Sequence, residues 1–184
     1  MAISFEDVKN NESIKCYISE ADKSLIALGY TEHSFAHVGK VAVEAEKILR
    51  TLGYPERVIE LAKIAAYMHD IGNVVNRIDH AQSGAILAFR LLDNMGMEAR
   101  EIAQVISAIG NHDESTAVAV NPIAAALILA DKTDVRRSRV RNRDFGNFDI
   151  HDRVNYAVEE SKIEFKEADC AIMLDLKIDT EISA

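Results

Sequence analysis

Two prolines and eight glycines are all that punctuate 184 residues, and most of them sit where one apolar run ends and the next begins. Both residue types disfavour helix interiors, so this spacing points to a series of helices joined by short turns. Ser4-Phe5-Glu6-Asp7 has the form of a capping box and opens a first helical region that ends near Gly29. Thr31 is placed to cap a second helix, with an apolar stripe at Val41, Ala45, Ile48 and Leu52 and a stop at Gly53. Pro55 suits the first position of a third helix, whose stripe is Val58, Leu61, Ala65 and Met68. Asp79 opens a fourth, ending near Gly96, and a fifth covers about 98–109. Pro122 starts a sixth that carries the apolar run 123–130 and closes on Asp131. A seventh begins at Asp149 or Ile150 and reaches about Ser161.

The period then drops to two. Ile163 and Phe165 alternate with Lys162, Glu164 and Lys166; Ile172, Leu174, Leu176 and Ile178 alternate with Met173, Asp175, Lys177 and Asp179. This predicts a two-stranded hairpin. A lone hairpin is marginal in water, so it packs on the helices or on a partner chain, which leaves a homodimer open. The expected fold is therefore all-α with a small C-terminal β-hairpin. A single domain spans 1–184, with its core at about 31–145 and the last helix and hairpin at about 149–180.

Composition narrows the function classes. Hydrophobic residues at 48% and charged residues at 28% are globular proportions, and a chain of this length buries a core without staples. Thirty acidic against 21 basic residues give a net charge of -9. That argues against a general nucleic-acid-coating role, which needs a basic surface. Cys16 and Cys170 lack metal-type spacing and read as reduced cytosolic thiols. The start, MAISFEDVKNNE, has neither a basic nor an apolar leader segment. The longest uncharged stretch, 115–130, is too short for a bilayer and contains Asn121 and Pro122. The expectation is a soluble cytoplasmic protein with no membrane partner.

The chemistry lies in the histidines and aspartates. His-Asp occurs three times, at His69-Asp70, His112-Asp113 and His151-Asp152. Only His69-Asp70 closes a strongly apolar helix, LAKIAAYMHDIG. A polar pair there is costly unless neutralised, and a metal ion neutralises it. His151-Asp152 lies near a helix start, where an acid simply complements the helix dipole. His37 stands one turn before Val41 on an apolar stripe, His80 begins the fourth helix, His112 follows the fifth, and Asp131 ends the most apolar stretch. Five segments thus offer six ligand-type side chains to one centre.

The ordered set H…HD…H…H…D resembles the HD-domain superfamily of metal-dependent phosphohydrolases. It reads here as H-V-G-K-V at His37, M-H-D-I-G at His69-Asp70, D-H-A-Q-S-G-A at His80, I-G-N-H at His112 and I-L-A-D-K at Asp131. The resemblance implies a helical bundle and a first metal held by His37, His69, Asp70 and Asp131. His80 and His112 resemble the two-metal branch, in which Asp70 bridges. Its cyclic-dinucleotide members carry a lysine where this chain has Asn73, and a G-Y-P element that is missing here. The polyphosphate-cleaving members are nearer. The mixed imidazole and carboxylate set suits one or two divalent ions of iron, manganese, nickel or zinc.

A small phosphorylated substrate, of the nucleotide class, needs positive partners. Lys132 follows Asp131, and R-R-S-R-V-R-N-R adds Arg136, Arg137, Arg139, Arg141 and Arg143. Lys132 and Arg136 are nearest in sequence to the metal set and are the expected phosphate ligands; exposed ion pairing is the bland alternative for the run. His33, one turn before His37, is placed to orient a water or the substrate. Asp70 and Lys132 are the expected catalytic residues. Two other functions stay open: a di-iron oxygenase on the same scaffold, and a nucleotide sensor without turnover.

Overall fold

The computed structural model describes residues 2–181 apart from 143, 145, 147, 149 and 170, so the expectations placed on Arg143, Asp149 and Cys170 lie outside the described residues. Ser4 and Asp7 form the capping box, each side chain accepting the other's backbone N–H, and open α1 (Phe5–Asn10). The first helical region is two helices rather than one. Asn11 adopts an extended conformation and caps α2 (Glu12–Ala27) by accepting from the Ser13 and Ile14 N–H groups. The cap of α3 (Phe35–Thr51) is Ser34, not Thr31. The Ser34 hydroxyl lies directly before the first turn and reaches the Ala36 N–H, whereas Thr31 is buried upstream. Val41, Ala45 and Ile48 are buried as expected, but Leu52 falls past the helix end and is exposed.

Pro55 is the N-cap of α4 (Glu56–Met68). Then come α5 (His80–Asn94), α6 (Ala99–Gly110) and α7 (Pro122–Thr133), the last with Pro122 in its first turn and Asn121 accepting from the Ala124 N–H. Asp131 sits inside the last turn of α7 rather than at its end. The final helix, α8 (Ile150–Ala157), stops earlier than its periodicity suggests. Val158 to Ser161 instead begin β1 (Val158–Lys166), which pairs antiparallel with β2 (Ala171–Ile178). Backbone groups of a β-branched start have a ready partner in β2, and that pairing outweighs a weak helical repeat. The register sets Ile163 opposite Leu174 and Phe165 opposite Ile172, with an irregularity between Val158 and Glu160.

The core runs through α3, α4, α6 and α7, with Val41, Ile48, Ile64, Met68, Ile109 and Leu127 fully or almost fully buried. The N-terminal helices join it through Val8, Ile14 and Ile18, and the hairpin leans on it through Ile163, Phe165 and Ile172. Among the described residues, eight helices and one hairpin make up the regular structure, apart from short 3-10 turns. No helix is long and apolar enough to cross a membrane.

One close approach positions the site. After α4 the chain turns through a short 3-10 segment, Ile71–Val74, which packs on the start of α5. A Cβ on Gly72 would lie 1.9 Å from the His80 carbonyl oxygen and 2.5 Å from the Gly84 nitrogen. The glycines of M-H-D-I-G and D-H-A-Q-S-G-A therefore face each other, and only their missing side chains let the two segments touch.

Candidate metal centre

Each expected ligand sits at or near a helix end for a local reason. His37 lies in the first turn of α3, His69 at the C-cap of α4, and His80 at the start of α5 behind Asp79, whose φ of 57° is left-handed. Asp70 has φ -95° and ψ 0°, a sparsely used conformation common at functional sites. His112 follows α6, and Asp131 lies in the last turn of α7. The structure brings all six side chains together. Asp70 Oδ2 is 3.1 Å from His69 Nε2 and 3.5 Å from His37 Nε2; Asp131 Oδ1 is 3.3 Å from His37 Nε2. On the other side, Asp70 Oδ1 is 3.5 Å from His80 Nε2. His37, His69 and Asp70 form one group able to hold a metal ion, and Asp70, His80 and His112 a second. Two ligand atoms on one ion with bonds of about 2.1 Å lie roughly 3.0–3.4 Å apart, close to these separations.

The hydrogen bonds fix which nitrogen each imidazole offers. Nδ1 of His69 meets the Ala66 carbonyl at 2.7 Å, that of His112 the Ile109 carbonyl at 2.7 Å, and that of His80 the Arg77 carbonyl at 3.1 Å. A carbonyl only accepts, so Nδ1 carries the proton and Nε2 keeps its lone pair. His37 Nδ1 does the same with the buried carboxylate of Asp134, at 2.8 Å. Ligand histidines are held in this way by groups behind them. Asn73 donates to Asp70 Oδ1 at 3.0 Å, while buried Asp70 Oδ2 has no hydrogen-bond donor. An anionic oxygen buried without a donor is costly unless a cation meets it, so the residues present fit a metal.

Electrostatics agree. Burial by itself raises the carboxyl pKa of Asp70 and Asp131, yet the His69 and His33 imidazoles beside Asp70 and the His37 imidazole beside Asp131 hold both well below the usual range. Burial pushes His112 and His33 down to about 4, and lowers His80, so these rings are neutral near pH 7. His37 goes the other way. Burial and Arg139 act to lower it, and Asp131, Asp134 and Asp70 outweigh both, raising it to about 10. Without metal, a proton on His37 balances the carboxylates. Metal binding should therefore release about one proton between pH 7 and 9, and apparent affinity should rise with pH toward 10, because the ion needs the Nε2 lone pair. Calorimetry in buffers of differing ionisation enthalpy reads that proton. Affinity flat across this range would mean that His37 carries none.

A cavity of about 360 Å³ opens on the centre and is lined by His33, Asp70, His80, His112, Asp131 and Lys132 among others. Sequence reasoning missed several of its features. Asp134, three residues after Asp131, anchors His37 and pairs with Lys40, Arg136 and Arg139. Arg77 lines the wall, 3.4 Å from His80 Nε2 and above the Tyr30 ring. His151, set aside in the sequence as part of a helix-start His-Asp pair, lines it from α8 with Ile150 and Val154.

The arginine run is placed differently from its proximity in sequence. Arg136 donates to Asp134, Glu32 and Ser138, Arg137 to the Tyr156 carbonyl and Asp179, and Arg141 to Asp22. Arg139 lines the cavity but spends its guanidinium on the Glu32 and Asp134 carbonyls. The described arginines of the run thus tie the C-terminal segment to α2, to the turn before α3 and to the hairpin end. Lys132 pairs with Glu114 at 2.8 Å and lies 4.0 Å from Asp131.

Comparison with known proteins agrees with this architecture. An uncharacterized protein of Methanocaldococcus jannaschii is 26% identical over 188 residues, covering 90% of this chain and 71% of that protein. The crystal structure of a predicted HD superfamily hydrolase from an uncultured Thermotogales bacterium is similar at a TM-score of 0.53 and 28% identity, covering 67% of each chain. Residues 34–137, which carry every proposed ligand, match the HD domain. By that match, over more than half its length, the chain belongs to the HD-domain family.

Proposed function

We propose that this chain is a metal-dependent phosphohydrolase that cleaves a phosphoester or phosphoanhydride bond in a small phosphorylated substrate of the nucleotide class, dinucleoside polyphosphates included. One observation carries the reading: the buried carboxylate of Asp70 stands between two groups of imidazoles at the floor of a cavity with cations on its wall. His37, His69, Asp70 and Asp131 would hold one ion of iron, manganese, nickel or zinc, and Asp70, His80 and His112 a second. Such ions polarise a phosphoryl oxygen and lower the pKa of a water, so no side-chain nucleophile is required.

The remaining tasks fall to the chain. Asp134 and the carbonyls of Ala66, Arg77 and Ile109 hold the four imidazoles in the tautomer that faces the centre. His33 donates Nδ1–H to the Thr31 carbonyl at 2.7 Å, leaving Nε2 as an acceptor for a water or a substrate hydroxyl. Lys132, which would exchange its half-exposed pair with Glu114, and Arg77 are the lining cations that would meet phosphate oxygens. Arg136 acts at one remove, by holding Asp134 behind His37.

Arg77→Ala should lower kcat/KM about ten- to a hundredfold, the scale of a lost charge-assisted hydrogen bond. Lys132→Ala, at a half-exposed position, should cost nearer tenfold. Both should keep their metal. Arg136→Ala should instead weaken metal binding. Equal kinetics for the Arg77 and Lys132 variants and the parent would reject the phosphate contacts.

Turnover of nucleotide substrates in oxygen-18 water tests the reaction itself. One solvent oxygen should appear on the phosphate product by mass spectrometry. Oxygen uptake with substrate loss and no phosphate release would replace this reading with an oxygenase, and tight nucleotide binding without turnover under any metal would replace it with a sensor.

A further inference from the structure

The hairpin has an edge with a self-complementary pattern. β2 pairs with β1 alone among the described residues, so its outer row of backbone N–H and C=O groups has no strand beside it. Open edges of this length are usually blunted by short strands, prolines or bulges, because they template further pairing. β2 has eight residues and no proline, and its only irregularity is on the β1 side.

The two faces of the ribbon differ. Ile163, Phe165, Ile172, Leu174 and Leu176 share one face, since cross-strand partners point the same way. Ile163, Phe165 and Ile172 reach the core, but Leu174 is 38% exposed and Ile178, at the end of the same row, 47%. The opposite face carries Glu160, Lys162 and Glu164 on β1, and Asp175 and Lys177 on β2. The apolar row of β2 thus continues beyond what the body of the protein covers.

We propose that β2 pairs antiparallel with β2 of a second copy of this chain, with Leu176 on the twofold axis, giving a four-stranded sheet. This register sets Leu176 against the partner's Leu176 and Leu174 against the partner's Ile178, all on the apolar face. On the other face it sets Asp175 against the partner's Lys177, twice by symmetry. Opposite charges directly across a strand pair stabilise it, and like charges destabilise it. Charge also disfavours the two adjacent registers. Centring the pair on residue 175 brings Asp175 onto the partner's Asp175, and centring it on residue 177 brings Lys177 onto the partner's Lys177. Such self-complementarity is what an isologous twofold interface requires. The inference is independent of the reaction proposed above.

The test uses the full chain and charge reversal at two exposed positions. Sedimentation of the parent across a concentration series should approach twice the monomer mass of 20.4 kDa. Asp175→Lys places lysine against lysine at both symmetric positions, and Lys177→Asp places aspartate against aspartate. Each variant alone should be monomeric, with a circular dichroism spectrum matching the parent. An equimolar mixture of the two variants should regain the doubled mass, because the all-lysine edge then meets the all-aspartate edge. A parent that stays monomeric throughout, single variants that remain dimeric, or a mixture that stays monomeric would each overturn the proposal.

Discussion

Replacing Asp70 by alanine should empty both metal groups at once. Oδ2 faces His37 and His69 while Oδ1 faces His80, so one carboxylate serves each side, whereas Asp131 reaches only the first group. Elemental analysis should fall from about two ions per chain to near zero, and kcat/KM should drop by at least roughly a thousandfold, beyond the loss of a single transition-state donor. Stability gives a second reading. In the parent, metal at a hundred times its dissociation constant adds about 2.7 kcal/mol by mass action, raising Tm; that increment should vanish in Asp70→Ala, while the metal-free variant stays folded. His80→Ala makes the contrast, since it touches only the second group and should spare the first. Full metal content in Asp70→Ala would show that the shared carboxylate is not what holds the ions.

Gly72→Ala should be the most damaging alanine substitution among the eight glycines. Its Cβ would meet the His80 carbonyl oxygen at 1.9 Å and the Gly84 nitrogen at 2.5 Å, and both are backbone atoms that cannot rotate away. The start of α5 must move, at a cost of about 3 kcal/mol or more, the upper end of overpacking. For a chain of this size that is a fall in Tm of roughly 6–12 °C. His80 moves with α5, so second-ion affinity should fall while the first group, built on α3, α4 and α7, keeps its ion. Gly84→Ala should be milder, since its nearest contacts are 3.2 Å. A parental Tm with both ions bound in Gly72→Ala would mean that the two segments do not approach so closely in solution.

Much of the architecture was legible because it depends on local periodicity. Helix starts at Ser4 and Pro122 follow from a capping group and a fixed proline φ, and the hairpin from strict alternation at 172–178; Asp79 precedes α5 without capping it through its side chain. The errors are equally local. Thr31 and Ser34 are both plausible caps, and only the first turn of α3 distinguishes them. Asn11 splits a helical region whose apolar pattern runs on, and residues 158–161 follow β2 rather than the helix before them. Where two local preferences compete, the nearest available hydrogen-bond partner decides.

The sequence by itself determined the helical class, the C-terminal hairpin and the six ligand-type side chains, because these rest on residue type, order and period along the chain. Only the tertiary structure decided which groups stand behind them. Asp134 reaches His37 from 97 residues away, and Arg136 reaches Glu32 from 104. Arg77 joins the cavity wall through the fold of the loop before α5, whereas Arg136, Arg137 and Arg141, close in sequence to Asp131, are drawn off by carboxylates and a carbonyl elsewhere. Spacing along a helix can align side chains that are a few residues apart. A long cation has many acids within reach in a chain with 30 of them, and which one it meets is fixed only when the helices pack.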